Sequence, residues 1–392
     1  MKIFCAYKGK YPNGMAMANR LKCYSKALGS GIDHFTVATE GQRDNGGEFQ
    51  QILPNHNCWY WRKESSFDRL PIVKYIYSSW KRWKIYRHIL KSKDVNVVFS
   101  SGYRWPQMLI FAFMAHLSGK KYCIELNEWP HSIVASRKDS ETLNKLKRWL
   151  TFRLAFPKID GFIAISENLK ELALKYAGSK AHVIKVPILT DYVLEGTRNV
   201  NREEPFIFHA GTLTREKDGI IEVLEGFGKA VIKTDLKLNF EFSNYVTLPD
   251  IKRELQSIIE RYDIQDRIIF HDHLKPEELR QKYQSCSMAV INKPNNERNR
   301  FNLSTKLGEY MSYGIPLITS DVGESGKYLK DGENCLLIGD SRSSDEIAIH
   351  IKRLSSNSSL AEELGENARR TALDHFDYRN HSAALIDYFN SL

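Results

Sequence analysis

At 392 residues the chain is too long for one ordinary hydrophobic core and about right for two domains. Its six cysteines (Cys5, Cys23, Cys58, Cys123, Cys286, Cys335) form no C-x-x-C pair and have no histidine at zinc-ligand spacing, which argues against a disulfide framework or a structural metal and for a reduced, cytosolic protein. The net charge of +10 is unevenly placed: residues 1–200 hold 32 Lys and Arg against 16 Asp and Glu, and the remainder holds 25 against 31.

The chain opens on "KIFCAY" (2–7), an apolar run far shorter than a signal-peptide core, so it reads as a strand and no secretion is expected. The loop after it, "KGKYPNGMAMANRL", supplies Gly9 and Gly14 ahead of a helix, where a backbone can approach a ligand closely. A second strand, "HFTVAT" (34–39), follows. Between Asp68 and Asp94 there is no acidic residue, while Arg69, Lys74, Lys81, Arg82, Lys84, Arg87, Lys91 and Lys93 alternate with Tyr75, Tyr77, Trp80, Trp83 and Tyr86. Such a stretch suits an anionic lipid surface or a nucleic acid, unless its apolar residues pack inward and its lysines merely solvate the outer face.

Strands at 95–100, 121–126, 161–166 and 182–187 alternate with helical patterns, which predicts a parallel sheet with crossover helices. The most apolar window, "MLIFAFMAHL" (108–117), is about half of the ~20 residues needed to cross a bilayer, and no membrane span is expected. The polar stretch 195–205 has no apolar period and marks the boundary between a first domain at 1–195 and a second at 205–375, with a terminal helix over about 376–392 free to pack back on the first.

The second half repeats the alternation, with strands near 206–211, 238–243, 267–272, 288–292, 316–320 and 334–338 and helices near 219–233, 251–263, 277–286 and 305–313. The fold class is therefore α/β, two doubly wound parallel-sheet domains. Ligands in such sheets sit at the carboxyl ends of the strands, and two sheets facing one another that way would frame a cleft.

In "RFNLSTKLGEYMSYGIPLITSDVG" (300–323), Leu303, Leu307, Tyr310 and Met311 recur at helical spacing and form the buried stripe of a short helix. Lys306 and Glu309 lie off that stripe on adjacent turns. The free backbone N–H groups of Ser304, Thr305 and Lys306, with the helix dipole, suit a phosphate, and Glu309 suits two neighbouring sugar hydroxyls; the alternative is a surface Lys–Glu pair. In "HAGTLTREKDG" (209–219), Gly211 ends a strand and Arg215 and Lys217 follow before a helix, a second phosphate-type layout whose alternative is a solvated loop. No D-x-D pair or other ligand cluster is present, so no metal is expected and cations and helix ends would stabilise a leaving diphosphate.

"LSTKLGEYMSYGIPLITSDVG", "HAGTLTREKDGIIEVLEGF", "FIAISENLKEL" and "YPNGMAMANRLKCYSKAL" together resemble the retaining glycosyltransferases of family four, in order over nearly the whole chain. The resemblance implies the GT-B fold of two Rossmann-like domains, with a nucleotide-sugar donor on the C-terminal domain and the acceptor on the N-terminal one. It implies that Glu309 holds the donor ribose, that Lys217 and the backbone around Ser304 and Thr305 meet the diphosphate, and that Gly14 closes over it. Three positions depart from the family. Phe301 stands where a first glutamate in E-x7-E spacing is usual. Thr212 replaces a common arginine, making Arg215 the substitute cation. In place of a histidine after a middle strand of the first domain, "IELNEWPHSI" offers Glu125, Glu128 and His131, of which Glu128 is favoured to face the reaction centre.

The leading expectation is an enzyme that moves a sugar from a nucleoside diphosphate to a glycan or lipid-linked acceptor with retention, in the building of bacterial surface polysaccharide. It would need no cofactor beyond the donor and no metal, and would work in the cytoplasm against the inner face of the membrane. The alternatives are a nucleic-acid-binding protein with a basic N-terminal domain, disfavoured by the absence of any nucleic-acid motif, and a GT-B nucleotide-sugar epimerase or glycan phosphorylase.

Overall fold

The computed structural model describes residues 1–14, 16–39, 49–60, 82–130, 141–191, 198–201, 203–211, 213–232, 234, 236–244, 248–272 and 274–392. They form two compact units, Met1–Leu189 with Tyr378–Leu392, and Thr190–Asp377.

In the first unit β1 (Lys2–Tyr7), α1 (Ala16–Leu28) and β2 (His34–Thr39) are followed by β3 (Phe49–Leu53) and β4 (His56–Tyr60). A helix over 82–91, α2, precedes β5 (Val97–Ser101), α3 (Trp105–Leu117), β6 (Lys121–Leu126), α4 (Glu141–Leu150), β7 (Gly161–Ala164), α5 (Glu167–Tyr176) and β8 (His182–Lys185). These strands make one sheet in the order β3-β4-β2-β1-β5-β6-β7-β8, parallel except for the β3–β4 pair. Central strands covered on both faces bury nearly every residue, as β1 and β5 do, and so read as continuous apolar runs. The β3–β4 hairpin is absent from the sequence reading because Gln50, Gln51, His56 and Asn57 interrupt its apolar alternation at the sheet edge.

Helix α1 turns Ala18, Leu21, Tyr24 and Leu28 inward. Arg20 goes with them. Its guanidinium bonds Glu125 on β6 (Nε–Oε1 2.5 Å) and the carbonyls of Val186 and Pro187, and the Tyr24 hydroxyl donates to the same Glu125 oxygen at 3.0 Å. A buried charge held by that many partners is tolerated where a lone one would not be.

The second unit contains β9 (Phe206–His209), α6 (Arg215–Asp218), α7 (Ile220–Val231), β10 (Asn239–Phe242), α8 (Pro249–Tyr262), β11 (Ile268–Phe270), α9 (Pro276–Ser285) and β12 (Ala289–Ile291). It continues with α10 (Glu297–Arg300), α11 (Thr305–Ser312), β13 (Leu317–Ser320), β14 (Leu336–Ile338), α12 (Ser344–Ser356) and α13 (Ser358–His375). Its strands pair as β11-β10-β9 and β12-β13-β14, and a parallel bridge between Ile207 and Met288 joins the two ladders. Counted from β9, the order is 3-2-1-4-5-6, the doubly wound arrangement in which the direction of crossover reverses between the first and fourth strands. That reversal lies between β9 and β12.

The last helix, α14 (Ser382–Ser391), belongs to the first unit, where Leu385, Tyr388 and Phe389 join the core. Phe389 meets Phe99 of β5 edge to face, with centroids 6.3 Å apart. Phe389→Ala should therefore lower stability by about 3–5 kcal/mol, the usual range for emptying a buried aromatic site, as read by denaturant unfolding of the full chain.

Candidate functional site

The carboxyl ends of β9 and β12 flank the reversal point, and the side chains there are ionisable although mostly out of water. His209 ends β9, Asp218 ends α6, Lys293 follows β12 by two residues, and Lys306 sits in the first turn of α11. Lys306 Nζ donates to Asp218 Oδ1 at 2.8 Å and lies 3.1 Å from His209 Nε2, which must accept because an ammonium has nothing but donors. Gly211, with φ +99°, gives Lys306 its path: a Cβ there would lie 3.1 Å from Lys306 Cε.

Each element is pinned so that these groups meet. The Tyr310 hydroxyl on α11 accepts from the Ala210 N–H at 2.9 Å and donates to the Phe208 carbonyl at 3.1 Å, stapling α11 to β9. Ser320 Oγ, at the end of β13, accepts the Lys293 N–H at 2.7 Å and donates to its carbonyl at 3.0 Å. Asn292 Nδ2 bonds the Ser341 carbonyl at 2.7 Å, and Asn296 and Asn299 both donate to the Glu216 carbonyl in α6.

Burial and neighbouring charge set the protonation states. Burial pushes the His209 imidazole down, Lys306 adds to the effect, and its pKa falls to about 3, so the ring is neutral. For Asp218 burial raises the carboxyl, but Lys306 and the other cations outweigh it and hold the value at about 2. Burial lowers the Lys293 ammonium; Asp218 works against this, Lys306, Lys217 and Arg298 work with it, and the result is about 8.

The residues expected from the sequence are partly gathered here. Gly211 and Lys306 belong to the group, and Ser304 and Thr305 open the helix that carries Lys306, with first-turn N–H groups that have no intrahelical acceptor. Lys217 is half-buried in α6 beside Asp218. Glu309 lies one turn deeper, half-buried, where its Oε2 accepts from the Tyr283 hydroxyl at 2.8 Å; burial raises its pKa while that bond and Lys306 oppose the rise. Lys306 is thus paired with Asp218, and the alternative of a Lys306–Glu309 surface pair does not hold. Leu303, Leu307, Tyr310 and Met311 are all buried.

Arg215 is exposed and ion-paired with Glu254 of α8, away from the Lys306 group in its recorded bonding. Gly14 and Glu128 lie in the first unit. A Cβ on Gly14 would collide with the Lys10 carbonyl oxygen, so the chain itself demands glycine there. Glu128 is half-buried two residues past β6, and Glu125 is the buried carboxylate held by Arg20. Phe301 is half-buried at the end of α10; Thr212, His131 and residues 69–81 lie outside the described residues.

Asp218, His209 and Lys293 are the residues that sequence reasoning missed. "FHAG", "KDG" and "INKP" each put a charged or polar residue at the end of an apolar strand or short helix, but that signal gains meaning only once the strand order locates the reversal point.

Residues 195–371, most of the second unit, match the family model described as Glycosyl transferases group 1. A 124-residue stretch is 27% identical to spore coat protein SA of Bacillus subtilis (strain 168), and spans 32% of this chain and 32% of that protein. Among solved structures, sucrose-phosphate synthase from Thermosynechococcus elongatus superposes with a TM-score of 0.70 at 15% identity, covering 99% of this chain and 98% of that one. Anabaena HepE in complex with UDP and glucose gives 0.69 at 15% identity with both chains covered in full. WaaG, a glycosyltransferase involved in lipopolysaccharide biosynthesis, gives 0.66 at 12%, with 99% of each chain covered. The fold is GT-B, as the sequence resemblance implied.

The protonation states carry a consequence for stability. His209 and Asp218 bind their protons more weakly folded than unfolded, where ordinary values are about 6.5 and about 3.9. Acid therefore favours the unfolded chain, and their contribution is lost as pH falls from about 6.5 toward about 3 and from about 3.9 toward about 2. Thermal unfolding should show a midpoint that falls between about pH 7 and about pH 4, with a shallower acid limb in His209→Gln, whose amide oxygen can still accept from Lys306.

Proposed function

We propose that this chain is a retaining glycosyltransferase that moves a sugar from a nucleoside-diphosphate donor to a glycan or lipid-linked acceptor, in the building of bacterial surface polysaccharide. The observation that carries this reading is the Lys306–Asp218–His209 group at the strand-reversal point of the unit that matches the group 1 model, with Glu309 one turn deeper on the same helix. A diphosphate seated against the N-terminus of α11 meets free N–H groups and Lys217. A ribose one turn farther meets Glu309, whose Oε1 has no bond among the described residues.

In the reaction the bond from the anomeric carbon to the diphosphate oxygen breaks, a bond to the acceptor oxygen forms on the same face, and the acceptor proton passes to the departing phosphate. Negative charge grows on that phosphate toward the transition state, where fixed cations and N–H dipoles act without reorganising. We read the catalysis as metal-independent with Lys217 supplying the counter-charge; among the described residues no three His, Cys, Asp or Glu side chains gather as metal ligands. The roles of Arg215 as an outer cation and of Glu128 as the acceptor-side polar group remain part of the proposal. HepE was solved with UDP and glucose, which makes a UDP-sugar the first donor to test.

A lipid-linked acceptor suits the first unit. No helix among the described residues is long and apolar enough to cross a membrane. Yet Phe113 and Leu117 on α3 and Leu146 and Trp149 on α4 are each more than half exposed, and Lys145, Lys147 and Arg148 lie beside the latter two in sequence, with Arg153 four residues farther on. Aromatic and aliphatic side chains mixed with cations fit the headgroup level of an anionic bilayer, each cation contributing about 1 kcal/mol near the surface. Trp83 on α2, beside Arg82 and Lys84, is half exposed as well.

Three measurements test this. Glu309→Gln should keep the fold and weaken binding of the donor by about 1–3 kcal/mol, read by titration with UDP-sugars; equal affinity removes Glu309 from the site. Lys217→Ala should lower kcat more than it raises KM, and a chelator should leave the wild type active. In co-sedimentation the wild type should pellet with phosphatidylglycerol vesicles at low salt and release at high salt, whereas Leu146→Glu/Trp149→Glu should stay in solution.

A further inference from the structure

Lys293 is not used by any step above, and its position is costly. The residue is 4% exposed, and among the described residues its Nζ has no hydrogen-bond or ion-pair partner. The ammonium has lost most of its hydration and keeps only a small opening to solvent, with no protein group among the described residues to replace the lost water. The nearest carboxylate, Asp218, is already paired with Lys306, and its other oxygen, Oδ2, is buried without a hydrogen bond. His209 is neutral. The buried group therefore carries two ammonium side chains against one carboxylate, with Lys217 and Arg298 adding positive potential from α6 and α10.

Such an excess is held at a cost, which appears as the lowered pKa of Lys293. The backbone here is held by Ser320 and followed by a proline, so the stem of Lys293 stays at the carboxyl end of β12. An anion arriving from solvent at the carboxyl ends of β9 and β12 would offset that excess.

We propose that Lys293 is a binding residue for the diphosphate of the donor, its ammonium completing with Lys306 and Lys217 a floor of positive charge that a diphosphate neutralises. This rests on the nucleotide-donor reading and extends it to a residue on β12's side of the reversal point. The charge of Lys293 is also conditional. Its pKa of about 8 reflects burial first, with Asp218 raising it and Lys306, Lys217 and Arg298 lowering it; His209, which also feels Lys293, is neutral. A bound diphosphate favours the protonated form, so binding draws in a proton when the pH is near or above 8, and affinity falls as pH rises through that value.

The test is a titration of the full chain with UDP, or with whichever of ADP, GDP, CDP and dTDP gives the largest thermal shift, at about pH 7 and about pH 9. For the wild type Kd should rise roughly tenfold between the two, as a group of pKa near 8 goes from mostly protonated to mostly neutral. Lys293→Met should bind roughly tenfold more weakly at pH 7 with little further change at pH 9, while its ligand-free melting midpoint stays the same or rises because a buried charge is gone. Lys293→Arg should retain binding and lose the pH dependence, since a guanidinium stays charged. Wild-type affinity and pH profile in Lys293→Met overturn the proposal and leave the donor reading standing. No thermal shift from any of the five nucleotides overturns the donor reading and this proposal with it. Should Lys293→Met not fold, a flat wild-type profile between pH 7 and pH 9 is the overturning result.

Discussion

The bond between Lys306 and Asp218 is the constraint on which the second unit's site depends. It joins the first turn of α11 to the end of α6, two elements that follow different strands, and it does so with both groups nearly out of water. A pair so placed is worth little as net stability, because desolvation offsets most of the attraction. What it fixes is position. With Lys306 held on Asp218 and touching His209, the N-terminus of α11 lies against the end of β9, and Tyr310 holds the same helix two bonds farther along.

The neutral imidazole belongs to that arrangement. Were His209 protonated, three cations would crowd one carboxylate in a low-dielectric interior, and repulsion would open the group. Burial and Lys306 together keep the proton off, so the ring can accept from the ammonium instead of repelling it. The pair, the ring and Lys293, whose ammonium has no hydrogen-bond partner among the described residues, then form a graded set: one cation committed, one conditionally charged, and Lys217 half-buried at the margin. Under the proposed function such a set would favour an anion before any ligand arrives, the preorganisation that electrostatic catalysis uses.

The first unit is organised around a different buried ion pair, Arg20 with Glu125, and the contrast is informative. There Glu125 Oε1 takes a guanidinium and a tyrosine hydroxyl while the guanidinium also donates to two carbonyls, so the positive charge is matched by acceptors, although Glu125 Oε2 stays buried without a hydrogen bond. Both clusters read in sequence as charges near strand ends. In the first the cation is matched by acceptors, and in the second, among the described residues, two ammonium groups share one carboxylate.

Local signals in the sequence determined most of the architecture. Strands covered on both faces bury every residue and announce themselves as apolar runs, and the stripe Leu303, Leu307, Tyr310, Met311 fixes both the helix and its inward face, because side-chain periodicity is a property of the backbone alone. The motif residues Gly211, Lys306 and Glu309 were legible for the same reason, as charges or glycines standing where the local pattern did not need them. The β3–β4 hairpin was not, since its edge position lets polar residues break the alternation. Nor were the partners: that Lys306 seeks Asp218 rather than Glu309, that Arg215 is held by Glu254, and that Lys293 is left over with its charge unmatched. Those outcomes follow from the strand order, which brings the ends of β9 and β12 together across some eighty residues of chain. Spacing along a sequence sets which face a side chain takes; which charge it meets there is set by the sum of all long-range packing, and only the folded chain performs that sum.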